Sequence, residues 1–190
     1  MKKYELTEET REVAGATLKR IRRVFDGLLG GFLESEANLS HEGACFIYDD
    51  ACVFDDAYVS GDAEVSGDAV VWDSAEVSGN AVVSENGIVG EDAKVCGNGT
   101  VSGSARIWGA AIVMDCAIVC DNTRVCDCAI VCDDARVCDR AMVCNYAMVC
   151  ENGAVGDDTM VDGDTIVYGS QFLATRPMQR AKVQRLAGKL

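Results

Sequence analysis

Chemistry in this chain of 190 residues would have to come from eleven cysteines, one histidine and a surplus of carboxylates. Cys120, Cys126, Cys132, Cys138, Cys144 and Cys150 stand six residues apart. Thiols on so regular a beat raise the prospect of a soft-metal or redox ladder. Cys126, Cys128 and Cys144 are the three that could reach one ion, but a closed zinc site wants a fourth ligand that the neighbouring residues do not offer. The plainer reading is favoured: cysteine as a small, strand-compatible residue copied by repeat duplication. His41 is the sole histidine and so the sole candidate general base. A base must lie within hydrogen-bond reach of the group it activates, and a packed, satisfied His41 is the better expectation. The carboxylates Asp55, Asp73, Glu91 and Asp127 form a set that could loosely hold Ca²⁺, although solvated turn formers are the commoner case. No glycine-rich phosphate loop is present, each glycine being read as keeping the turn register, and no cofactor is expected.

The elements that must position these residues follow from a repeat of six. From Ala51 to Gln171, every sixth residue is Ala in fourteen cases, Gly in three and Thr in three, before the final Gln. Two places on stand nineteen Val, with Ile107 and Leu173 as the exceptions. Gly, Asp and Asn favour the last two places. A helix would scatter these valines around its axis at about 100° per residue. In a strand, Ala and Val two apart share one side. The Gly/Asp/Asn pair then turns a corner, because these residues tolerate positive φ. Three sides close a triangular coil of eighteen residues, and coils stack at about 4.8 Å, so seven make a prism about 34 Å long. The fold class is all-β, a β-solenoid with a narrow, dry interior of Ala and Val. Cysteines at the place after Val are expected to face outward beside the corners, in columns such as Cys120 over Cys138 and Cys126 over Cys144.

Three regions are expected. Residues 1–38 carry seven basic and seven acidic side chains. Within them, Lys3–Leu6 and Glu12–Ile21 around Gly15 suggest a small β-hairpin cap. Residues 39–173 form the solenoid and carry five basic against twenty-four acidic residues. Leu39, His41, Cys45 and Ile47 are read as already in the inward register. Residues 174–190 carry five basic and no acidic residues, and Met178, Val183 and Leu186 mark a short amphipathic helix. So acidic a body should repel phosphate backbones, which argues against nucleic acid. No apolar stretch approaches transmembrane length, and the start lacks the core of a signal peptide. An odd number of cysteines then points to reduced thiols in the cytoplasm.

The hexad, an aliphatic residue with a small one four places later, resembles the hexapeptide-repeat left-handed β-helix, and the left hand is implied by that resemblance. "KKYELTEETREVAGATLKRIRR" followed by "LGGFLESEANLSHEGACFIYDDA" is similar to the start of bacterial YdcK-type β-solenoid proteins. That resemblance covers residues 2–51 and then the repeat, and it implies an N-terminal cap before an uninterrupted solenoid. "VFDGLLGG" stands where such proteins often have a longer turn. The family's function is poorly defined, with acyltransferase as a common label. The enzymes of that class use a histidine base aimed between subunits and a loop projecting from the coils. Here no loop breaks the repeat, and no catalytic residue carries over to a position in this chain.

One outward row stands apart. Tyr58, Glu76, Lys94, Ile112, Ile130, Met148 and Ile166 are eighteen apart on one side. Four apolar residues in succession need a cover, because long exposed apolar patches usually mark interfaces. A second copy of the chain or the C-terminal segment could supply it. The expected function is a rigid structural or interaction module that self-associates. The alternatives are a hexapeptide-class acyltransferase using His41, and a cation or soft-metal binder.

Overall fold

The structure, a computed structural model, describes residues 2–169 and 172–174. Strand β1 (Tyr4–Val13) pairs antiparallel with β2 (Ala16–Arg23), and β2 pairs antiparallel with β3 (Leu29–Leu33). The hairpin turns at Ala14 and Gly15, both at positive φ. From β3 onward all pairing is parallel. Every hexad contributes one two-residue strand, the place before Val and Val itself, and strands eighteen residues apart stack. Three sheets result: face 1 contains Cys52–Val53, face 2 contains Glu64–Val65 and face 3 contains Tyr58–Val59. Val113, Val131, Val149 and Val167 form one inward column on face 3. Ile107, Val125, Val143 and Val161 form another on face 1. The fold is thus the expected all-β solenoid with eighteen residues per coil. The proposed C-terminal helix with Met178, Val183 and Leu186 lies outside the described residues.

The interior is what the hexad dictates. The Ala and Val places from Ala51 to Val149 are buried almost completely. At two of the Thr places the hydroxyl finds a carbonyl: Thr123 Oγ1 donates to Cys120 O at 2.9 Å and Thr159 Oγ1 to Leu173 O at 3.4 Å. The backbone repeats as faithfully as the side chains. Ile130 N donates to Ala147 O at 3.0 Å, Cys132 N to Val149 O at 2.9 Å, and Asp134 N to Glu151 O at 2.9 Å. Ala135 N closes the corner on Cys132 O at 3.2 Å.

One corner amide per hexad lies outside the coil-to-coil ladder, and where a carboxylate stands at the same place in the preceding coil it can take that amide. The fifth place of the hexad sits at positive φ, as in Asp115, Asp127 and Asp133. Its side chain reaches the amide of the same place one coil on: Asp127 Oδ2 accepts from Asn145 N at 3.0 Å, and Asp133 Oδ2 from Glu151 N at 2.9 Å. Asp49, Glu85, Glu91, Asp121 and Asp139 do the same. The corner set Asp55, Asp73, Glu91 and Asp127 therefore has structural employment; Asp55, Glu91 and Asp127 each accept a backbone N–H of the coil above. Aspartate suits the place twice over. It tolerates the left-handed region better than most residues and makes a charge-assisted bond there.

The first coil departs from the count. Leu33 pairs with Val53 and Leu39 with Val59, each twenty residues on, whereas Ile47 pairs with Val65 at eighteen. Two extra residues therefore enter the corner between Leu39 and Phe46. Counting hexads back from Ala51 puts His41 in a valine place and Leu39 in an alanine place. The insertion instead moves Leu39 into the valine place and leaves His41 at the corner, part-exposed. The inward register expected for His41 is thereby corrected, while Cys45 and Ile47 are buried as expected.

The corner ladder yields a test. Asp133→Ala loses the acceptor and puts a methyl group at positive φ, so it should cost about 2 kcal/mol in urea unfolding. Asp133→Asn keeps an acceptor and the left-handed tolerance and removes one charge from the stacked Asp115, Asp133 and Glu151. It should be close to neutral in the same measurement.

Candidate functional site

His41 is built into the cap. Its ring stacks on Tyr4 with centroids 4.4 Å apart, and Tyr4 Oη donates to Leu39 O at 2.8 Å. Burial raises the Tyr4 phenol well above its usual range, so it stays a donor. Lys3 N donates to His41 Nδ1 at 3.3 Å. With Nδ1 accepting, the proton of the neutral ring belongs on Nε2. That nitrogen is shielded from solvent, without a hydrogen-bond partner, and 3.9 Å from Glu36 Oε2. A general base needs an open nitrogen facing a substrate. The geometry gives His41 a packing role.

The thiols are less exposed than their register suggested. Cys126 and Cys144 are buried, at 3% and 2% exposure, and Cys120, Cys132, Cys138 and Cys150 are half-buried. The place after Val begins the corner, and neighbouring coils at strand spacing cover much of a small side chain there. Cys126 and Cys144 come together as stacked neighbours, whereas Cys128, two residues further round the corner, is exposed. Burial pushes the Cys120 and Cys126 thiols up to about 12, with Asp121 and Asp127 beside them adding to the rise. Cys132 is pushed up to about 11 by burial and then by Asp133. A metal would have to offset that cost to take thiolate ligands. Among the described residues, the three groups whose ligand atoms lie within 4.8 Å of one another are Asp121, Cys138 and Asp139. In that group Asp121 already accepts from Asp139 N at 3.1 Å.

The expected contact row is where the register put it. Ile112, Ile130, Met148 and Ile166 stack in adjacent strands of face 3, each partly exposed. The places immediately beside the row are uncharged from Ile112 to Met148, while the carboxylates Asp115, Asp127, Asp133 and Glu151 stand one place further round the corners. Ala110, Cys128 and Tyr146 border it on one side, and Met114, Cys132, Cys150 and Tyr168 on the other. Tyr146 is 70% exposed.

Face 1 holds a groove that the sequence reading did not find. The hairpin folds over the outside of this face, where Leu18, Phe32, Cys52 and Phe54 form a second apolar cluster outside the prism. Beyond the hairpin tip at Val13 and Ala14 lies a cavity of about 610 Å³. Val70 and Ile88 line it, with Phe54, Trp72 and Trp108 from the adjoining corner and Arg106 and Arg124 from the next two coils. Gly90 stands between the two tryptophans in the corner column. A Cβ there would collide with the Trp72 indole, so this glycine serves close approach, whereas the glycines were expected to serve turns alone. The signal was present in the sequence as a column: Phe54, Trp72, Gly90 and Trp108 are eighteen apart, as are Arg106 and Arg124.

The chain matches no protein-family model, and no curated protein matches it.

Thiol chemistry gives the second test. With a pKa of about 12, about one thiol in ten thousand is ionised at pH 8, and the thiolate is the reactive form. Alkylation with iodoacetamide at pH 8, followed by peptide mass mapping, should label exposed Cys116 and Cys128 first. Cys120 and Cys126 should lag by at least a hundredfold in rate until the pH nears their pKa.

Proposed function

We propose that this chain is a rigid structural and interaction module that self-associates through face 3, on a coil of the left-handed hexapeptide-repeat class. The observation that carries the reading is the outward apolar row Ile112, Ile130, Met148 and Ile166, on a body with nineteen more acidic than basic residues. A second acidic body would meet less repulsion along this row than at the carboxylate-lined corners. A second copy fits the row for a geometric reason. The face is flat and its outward side chains recur at the strand spacing of about 4.8 Å, so two copies related by a twofold axis match row to row. Tyr146 and Tyr168 flank the row, and tyrosine at an interface supplies large contact area with a polar tip. The similarity of residues 2–51 to the start of YdcK-type proteins supports the capped solenoid as a unit of this kind. Among the described residues, no helix is long and apolar enough to cross a membrane.

The test is mass in solution by light scattering or sedimentation. The parent chain should be a dimer or larger. Ile130→Lys combined with Met148→Lys should weaken association at least tenfold while leaving the circular dichroism spectrum unchanged, since both side chains face outward. A monomeric parent chain, or a double variant of unchanged mass, would overturn the proposal.

A further inference from the structure

The groove on face 1 has an apolar end and a cationic end. Arg106 and Arg124 are paired in register in neighbouring parallel strands, both exposed. Among the described residues neither makes an ion pair. Elsewhere on the prism the arrangement differs: Lys94 Nζ meets Glu76 Oε2 at 2.9 Å, and Arg140 meets Asp158 at 2.6 Å, each one coil away. Like charges directly opposite one another in a sheet are destabilising. In a chain so rich in acid, stacking two guanidinium groups against an apolar floor leaves a site that an anion would complete.

From these observations we propose that the groove binds an amphipathic organic anion, a carboxylate or phosphate on an apolar body, with its head between Arg106 and Arg124 and its body along Ile88 and Val70. The volume, about 610 Å³, is that of a small-molecule site. Val70 and Arg124 are three coil spacings apart, about 14 Å, which suits a medium-length chain or a pair of fused rings. Trp72 and Trp108 form an aromatic wall, with Trp72 seated over Gly90. Planar guanidinium groups bind carboxylate and phosphate through paired N–H donors. Glu91 also lines the groove, and its Oε2 is engaged by Gly109 N at 2.9 Å. The basic residues 174–190 are ill-suited to this site, because they would add five positive charges beside the two arginines.

The probes are decanoate and its neutral counterpart 1-decanol, each below its aggregation limit, read by quenching of tryptophan fluorescence and by calorimetry on the full chain. Decanoate should bind at one site per chain and more tightly than decanol. Arg106→Gln or Arg124→Gln should weaken decanoate at least tenfold and leave decanol unchanged. Arg136→Gln, which makes the same change in net charge on face 2, should leave decanoate binding as it was. Trp108→Ala should weaken both ligands, with the melting temperature confirming that the coil survives. Failure of decanoate to bind, equal binding of decanol, or equal losses for Arg136→Gln and Arg106→Gln would each overturn the proposal. So would a Trp108→Ala variant that changes particle mass, since the groove would then be filled by a second copy.

Discussion

Each coil is hydrogen-bonded to the next through bonds that join a residue to one seventeen places on, and the 4.8 Å spacing these bonds impose governs everything else in the molecule. A stack so close has room inside for little more than Ala and Val, with Ile107 the larger exception among the buried places from Ala51 to Val149. The same closeness acts on the outside. Residues eighteen apart become neighbours whether or not they attract, so charge placed in a column is charge stacked. The chain bears this at its corners because carboxylates there are not idle: Asp127, Asp133 and Asp139 each hold a backbone amide of the coil above. An exposed pair of like charges is weakly repulsive, while an amide left without an acceptor forfeits a bond in every coil.

A strict repeat makes the interior readable and the exterior ambiguous, for one reason. Inward places face a common constraint, so Val131 and Val137 announce their role by type and period. Outward places face solvent, and nothing in the type of Ile88 or Arg106 says whether it borders a groove. The coil, the inward columns, the hairpin and the row from Ile112 to Ile166 all followed from counting. The register of His41 did not, because two residues entered the corner after Leu39, where the hexad has not yet become strict. The burial of Cys126 and Cys144 escaped the count too. Outward and inward are exact at mid-strand and lose meaning at a corner, where the chain changes direction. The groove escaped for a different reason. It depends on where the hairpin tip comes to rest over face 1, a tertiary event without a period, and on the lie of one indole over Gly90.

The three faces consequently differ in what they can do. All share the same inner wall, so any functional distinction must lie in outward columns and in the corners that frame them. Face 2 has none that runs unbroken: Glu64, Val82, Thr100, Ile118, Arg136 and Ala154 alternate in character. Face 3 sorts its column by coil, charged in Glu76 and Lys94 and apolar from Ile112 on. Face 1 sorts in the opposite sense over its first coils, apolar in Val70 and Ile88 and cationic in Arg106 and Arg124. The two sorted columns lie on different sides of the prism, so occupation of one does not obstruct the other. Rigidity then has a use. In a fold whose coils cannot shift independently, a ligand on face 1 and a partner on face 3, as proposed above, would be held at a fixed distance and orientation by the stacked coils between them, which a flexible linker between two sites would not do.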